Sequence, residues 1–192
     1  MRSGRLVIRP WTVADAPALR QAVIDSVDHL LPWMPWAADE PLTLEQRIDM
    51  IGKWDDERSA NAGAVYGILL ADGTAVGGTG FHRRHPDGPH ILEIGYWVHV
   101  DHVGQGIATE AAEALTDAAF ALPNTTAVEI QHHPDNHASA AVPRKLGYRR
   151  CGERLGPDTG EPTLVWVVER SEWVNRATPP STNCSPSASP RA

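Results

Sequence analysis

The segment from Glu93 to Leu122 limits the fold of this chain more than any other. Residues 91–98 read as a strand, Gly104-Gln105-Gly106 as a turn, and residues 104–122 as a helix. In that helix Ala108, Ala111, Ala112, Leu115, Ala119 and Leu122 recur at the helical period. Glycine lets a backbone approach a ligand closely and adopts φ > 0 without strain. The first turn of the following helix presents unpaired N–H groups and the positive end of its dipole. Such a turn suits an anion, a pyrophosphate in particular. Taken alone, two glycines fit a plain strand-to-helix turn equally well. The segment is not a Walker loop, because no Gly-Lys-Ser/Thr follows. It is not a dinucleotide fingerprint either, since Thr109 stands where a third glycine belongs.

The flanking sequence supplies the other elements. Leu6-Val7-Ile8-Arg9-Pro10 reads as an opening edge strand closed by its proline. Thr12 and Asp15 form a box-like start to a helix over residues 14–27. Two prolines make residues 30–36 a loop with large apolar side chains. Residues 44–58 return to helical spacing, with Ile48, Ile51 and Trp54 on one face. Residues 64–70 and 75–82 are strands around Ala71-Asp72-Gly73-Thr74, and Pro86-Asp87-Gly88-Pro89 is a turn before the strand at 91–98. Residues 127–131 form a strand, 137–146 a short helix and 164–168 a last strand. Three antiparallel strands followed by alternating helix and strand predict an α/β (α+β) domain, with a mixed, mostly antiparallel sheet flanked by helices. It is expected to span residues 1–174. Residues 175–192, rich in Pro and Ser with nothing to bury, are expected to be a disordered tail.

The formal net charge of −7 argues against nucleic acid as a partner, because phosphate neutralisation needs a basic face. No apolar run approaches the roughly 20 residues that span a bilayer. Leu6-Val7-Ile8 is too brief for a signal-peptide core, so a cytoplasmic protein without membrane partners is expected. The only two cysteines, Cys151 and Cys184, make no disulfide framework. Nor do they and the histidines show metal-ligand spacing, so no metal is expected.

Four blocks, in order along the chain, carry a resemblance. They are Leu6-Val7-Ile8-Arg9-Pro10; Leu31-Pro32-Trp33-Met34-Pro35-Trp36; Glu93 to Val98 followed by Gly104-Gln105-Gly106-Ile107-Ala108-Thr109-Glu110-Ala111; and Asn136-His137-Ala138-Ser139 with Lys145-Leu146-Gly147-Tyr148. Together they resemble the GNAT N-acetyltransferases of the RimJ/RimL type. The chain departs from that pattern in three places. Asp101 and Val103 stand where the family usually has Arg or Gln, and often Arg, ahead of the glycines. Pro143 stands where many GNAT enzymes outside the Rim branch carry a catalytic Tyr.

The resemblance implies direct attack of an amine on the thioester of acetyl-CoA, without a covalent enzyme intermediate. Amides of Val103, Gly104, Gln105, Gly106, Ile107 and Ala108 would hold the pyrophosphate. The strand edge from Val98 to Val100 would pair with the pantetheine arm, and an N–H near Val98 would be the oxyanion donor. Asn136 would bond the cofactor arm, and Ser139 would hydrogen-bond the departing thiolate. Trp33, Trp36 and Trp97 would wall the acceptor pocket. Glu93 falls on the sheet face of Trp97, opposite Leu92, Ile94, Tyr96 and Val98, and is the candidate base, directly or through water. His132 and His133 are alternative bases, while His99 and His102 flank the turn. Arg144, Lys145, Arg149 and Arg150 form a solvated face from which one could meet the 3′-phosphate.

An α-amine has a reference pKa of about 7.7–8.0 against about 10.4 for lysine, so it asks less of a weak base. A peptide N-terminus or an amino-acid-like small molecule is therefore the favoured acceptor. Succinyl-CoA as donor, an antibiotic or toxin amine as acceptor, and a non-catalytic acyl-CoA-binding module remain alternatives. The sequence leaves the oligomeric state open and is compatible with a homodimer.

Overall fold

A computed structural model describes residues 1–83, 88, 90–156 and 159–176, with Arg2 by its backbone alone. Most of the expected 86–89 turn and nearly all of the expected tail lie outside the described residues.

Among the described residues the strands are β1 (Arg2–Ser3), β2 (Leu6–Pro10), β3 (Gly63–Leu70), β4 (Ala75–His82), β5 (Ile91–Val98), β6 (Ala127–His132), β7 (Arg149–Leu155) and β8 (Pro162–Glu169). They form one mixed sheet in the order β1-β2-β3-β4-β5-β6-β8-β7. Only β5 and β6 run parallel; every other pairing is antiparallel. The helices are α1 (Ala16–Leu30), α2 (Leu44–Ser59), α3 (Ile107–Ala121), α4 (His137–Lys145) and α5 (Arg170–Val174).

Two apolar clusters lie on opposite faces of the sheet. On one face Ile107, Ala111, Leu115 and Ala119, spaced four apart on α3, pack against Leu92 and Ile94 of β5 and Val128 and Ile130 of β6. Ala111, Ala112 and Ala119 are fully buried, and their small side chains let α3 lie close to the sheet. On the other face Leu19, Ala22 and Val23 of α1 and Ile51 of α2 cluster with Trp11, with Val65 and Trp97 packed against them. Glu93 and Trp97 therefore face α1 and α2, and Leu92 and Ile94 face α3, as their alternation predicts.

Two features build the face that carries α1 and α2. Trp97 pairs with Gly78, which pairs in turn with Gly67. A Cβ on Gly67 would come 3.0 Å from the Trp11 ring, and one on Gly78 would strike the Trp97 indole. Glycine at both positions lets the two indoles lie against the sheet. The segment between α1 and α2 is tied down by a buried ion pair. Glu40 Oε1 meets Arg47 of α2 at 2.5 Å, and Glu40 Oε2 accepts the Leu42 N–H at 2.8 Å.

The parallel pairing is short. Only Ile91, Leu92 and Glu93 of β5 pair with β6, opposite Ala127, Val128 and Glu129. Beyond that point the two strands diverge, so among the described residues no strand lies beside the β5 edge from Ile94 to Val98 on that side.

Candidate active site

A cleft of about 770 Å³ opens on the α1/α2 face. Its lining includes Glu93, Tyr96 and Trp97 from β5, Trp33 and Trp36 from the α1–α2 loop, and Asn136 and Ser139 from α4. Eight of the residues singled out from sequence, Glu93, His132, His133, Asn136, Ser139, Trp33, Trp36 and Trp97, thus come together around one space. Trp36 stands edge-on to Trp97 at 6.2 Å, and Trp33 lies 5.9 Å from the His133 ring.

Glu93 is buried and tied to β6. Glu93 and Glu129 occupy paired positions on the parallel strands. The Gln131 amide bridges their carboxylates, donating to Glu129 at 2.7 Å and to Glu93 at 3.2 Å. Arg154 of β7 forms an ion pair with Glu129, which compensates that nearly inaccessible carboxylate. The Thr163 hydroxyl lies 3.2 Å from the Gln131 side-chain oxygen and 3.1 Å from the Arg154 carbonyl, and its one proton is shared between these acceptors.

Ser139 owes its surroundings to the way α4 is built. Asn136 caps the helix, its side-chain oxygen accepting the Ser139 N–H at 2.9 Å. Pro143 has no N–H to give the carbonyl four residues back, that of Ser139. The Tyr96 hydroxyl lies 3.2 Å from that carbonyl and 3.1 Å from Ser139 Oγ. Burial pushes the Tyr96 phenol far above its ordinary range, only partly offset by the bond to Ser139, so it stays a protonated donor. The helix ends in a Schellman pair: Gly147 N–H to Arg144 carbonyl at 3.3 Å and Tyr148 N–H to Pro143 carbonyl at 2.9 Å, with Gly147 at φ +80°. Tyr148 is driven into the core, where it meets Thr116 at 2.7 Å.

The glycine turn lies past the end of β5. Val100 to His102 form a single 3-10 turn, and the helix proper begins at Ile107 rather than Gly104. Gly104 and Gly106 adopt φ +73° and +80°, the left-handed region that glycine tolerates. Ile107, Ala108 and Thr109, as the first helical residues, have N–H groups without intrahelical acceptors. Arg5 reaches this turn from the β1–β2 connection, donating to the Gln105 carbonyl and lying 3.7 Å from Glu110.

Several expectations are corrected here. Val100 is not part of a strand edge, and its N–H donates to Ser26 Oγ of α1 at 3.1 Å. It has no hydrogen left for a pantetheine arm. Val103 gives its N–H, at 3.5 Å, to the Val100 carbonyl. The His99 N–H is used by the Val76 carbonyl at 2.9 Å, so by alternation the Val98 N–H points away from β4, toward the divergence.

His132 cannot serve as a base while this packing holds. Its Nδ1 lies 2.8 Å from the His133 carbonyl, and Nε2 accepts the Trp166 indole N–H at 2.9 Å. Burial holds its pKa below the ordinary value, with Arg144 and Arg150 lowering it further. His99 Nδ1 accepts the Asp101 N–H at 3.1 Å and so shapes the turn. Arg149 pairs with Glu172 and Glu169, Arg150 with Glu153, and Arg144 lies 5.8 Å over the Trp166 ring.

Tyr96 and Gln131 also line the cleft, and Arg5 meets the glycine turn; the sequence alone singles out none of the three. A hydroxyl at the end of an otherwise apolar strand residue is the one signal that points to Tyr96.

Comparison with known families decides the class. The model of the acetyltransferase (GNAT) domain matches residues 5–149. The chain belongs to the GNAT acetyltransferase family. A putative ribosomal N-acetyltransferase, YdaF of Bacillus subtilis (strain 168), is 28% identical over 148 residues, covering 77% of this chain and 80% of that protein. RimL, a ribosomal L7/L12 alpha-N-protein acetyltransferase solved with coenzyme A, superposes with a TM-score of 0.77 at 20% identity, over 87% of this chain and 95% of that one. RimJ of Mycobacterium smegmatis, solved with CoA-disulfide, gives 0.72 at 22% identity, over 90% and 88%.

Among the described residues no helix is long and apolar enough to cross a membrane. No group of three or more His, Cys, Asp and Glu among them could hold a metal ion.

Proposed function

We propose that this GNAT enzyme transfers the acetyl group of acetyl-CoA to a primary amine, by direct attack in the cleft between β5 and α4. The favoured acceptor is an α-amine, on a peptide N-terminus or on an amino-acid-like small molecule. The observation that carries the reading is the divergence of β5 and β6, with Glu93 on one side and Ser139 on the other. Coenzyme A bound to RimL and RimJ, which share the fold, supports the cofactor, and the alpha-N-protein activity of RimL supports the α-amine.

The pantetheine arm lies along the free β5 edge and takes the place of a strand. Its pyrophosphate meets the amides of Gly104, Gln105, Gly106, Ile107 and Ala108, and Arg5 supplies a cation that positions 101 and 103 lack. Val98 N–H donates to the thioester carbonyl as negative charge builds on it. Glu93 takes the proton of the incoming ammonium, directly or through one water. Attack of the neutral amine on the carbonyl carbon forms the C–N bond, and collapse breaks the C–S bond, with the electron pair leaving on sulfur. Ser139 Oγ–H hydrogen-bonds the thiolate, which takes up the surplus proton of the new amide nitrogen directly or through water. When Tyr96 donates to Ser139 Oγ rather than to its carbonyl, the serine proton is free to point at sulfur.

The decisive test is a thiol-release assay on Ser139→Ala, with product mass measured on N-terminal peptides and small amines. Its kcat should fall on the order of 10- to 100-fold while calorimetric CoA affinity holds. Unchanged turnover would remove Ser139 from the mechanism. Failure of the unaltered protein to bind CoA would remove the whole reading.

A further inference from the structure

The same cleft carries a second message, about the body of the acceptor rather than its amine. Of the chain's 7 tryptophans, five line it: Trp11, Trp33, Trp36, Trp54 and Trp97. Met34 and Met50 add apolar surface. The indoles of Trp11 and Trp97 rest on strand glycines and cannot retreat into the sheet. Trp33 and Trp36 come from the loop held by the Glu40–Arg47 pair, so they too are anchored.

The charges around this space are one-sided. Asp39, Glu93 and Glu161 contribute carboxylates. Arg47 is the one lysine or arginine among the described residues of the lining, and its side chain is 3% exposed against Glu40. Among the described residues of the lining, a substrate carboxylate would thus meet carboxylates and no accessible guanidinium or ammonium. A substrate ammonium meets the opposite sign, and indole faces also attract cations.

We infer that the acceptor is a cationic amine carrying a large apolar, preferably aromatic, body and no carboxylate beside the amine. This rests on the acyl-transfer reading above and narrows it. An N-terminal Ala or Ser side chain would leave the indoles wet, whereas a benzyl or indolyl group would cover them and displace that water. The same chemistry can come from a peptide with an aromatic first residue or from a free aromatic amine.

The test measures kcat/KM on peptides identical but for a first residue of Phe, Trp, Ala or Ser, and on phenethylamine, phenylalanine amide, phenylalanine and ethylamine. Intrinsic tryptophan fluorescence is titrated with the same small amines at saturating CoA, a readout that needs no turnover. The expected result is a preference of about 10- to 100-fold for the aromatic member of each pair. Phenylalanine amide should likewise exceed phenylalanine. Which aromatic arm is faster, peptide or free amine, identifies the source. Trp36→Ala, at a residue 38% exposed, should shrink the preference to a few-fold, with a thermal melt as the folding control.

Equal or better turnover of Ala and Ser peptides would overturn the inference and leave the acetyltransferase reading intact. Fluorescence changes with aromatic amines, but no acetyl product from any amine, would keep the acceptor class and defeat the transfer reading. Neither binding nor turnover by aromatic amines would overturn the inference whatever else is acetylated.

Discussion

Arg5 sits 100 positions before Gln105, yet its guanidinium closes on that carbonyl. In sequence, Asp101 and Val103 look like losses of phosphate-binding charge. In the fold, a cation from the opposite end of the domain stands at the same turn. Its side chain is 48% exposed, so its contribution is modest. Arg5→Ala should weaken CoA binding about 2- to 5-fold, under 1 kcal/mol. The loss should shrink as salt rises, because screening weakens an exposed charge most. Calorimetry at low and high ionic strength reads both quantities. An unchanged affinity at low salt would show that the turn holds phosphate with backbone amides alone.

The loop before α2 depends on a single buried pair. Arg47 and Glu40 are almost wholly inaccessible, and removing one partner leaves the other charge without compensation. Glu40→Ala should cost on the order of 3–5 kcal/mol in a urea unfolding curve. It should also free Trp33 and Trp36, raising KM for the amine more than for CoA. A variant that loses stability but keeps its amine KM would separate the loop from the acceptor.

Elements also show where the sequence was readable. The strands at 75–82 and 91–98 were found to the residue, because one ran from a tight Asp-Gly turn and the other alternated cleanly. The strand Arg149–Leu155 was missed. It is an edge strand of sequence Arg-Arg-Cys-Gly-Glu-Arg-Leu, mostly exposed, and has no buried face to leave an apolar rhythm. The five-residue helix Arg170–Val174 was missed for a related reason, since Trp173 alone of its side chains is buried. The glycine turn was legible from local pattern, whereas Ser139 and the tryptophans were singled out only through the family resemblance. The Glu93–Gln131–Glu129 bridge and the Tyr96–Ser139 contact were not, because strand pairing and helix docking create them.

For the whole molecule, two buried or bonded groups set the response to acid. His132 has its pKa held below the ordinary 6.5, so the unfolded chain takes up that proton first as pH falls. Its contribution to stability is complete above about pH 6.5 and is lost below it, toward the native value. Asp15 is pulled far below 3.8 by the paired Arg9 guanidinium, with further bonds from Thr12. Its contribution is complete above about pH 3.8 and is lost as pH falls through the native value. Both slopes have the same sign. Urea midpoints measured from pH 8 to 2 should decline in two stages. His132→Gln should flatten the first and Asp15→Asn the second. A flat profile between pH 7 and 5 would mean that His132 titrates alike in both states.

The short parallel pairing of β5 and β6 has a consequence beyond the reaction. Three residue pairs join the strands there, whereas β4 and β5 share six and β6 and β8 share six. On the proposed reading a pantetheine arm in the opening would stand in for a ninth strand. Binding would then lengthen the ladder along β5, and release of the spent cofactor would bare a sheet edge as well as empty a pocket.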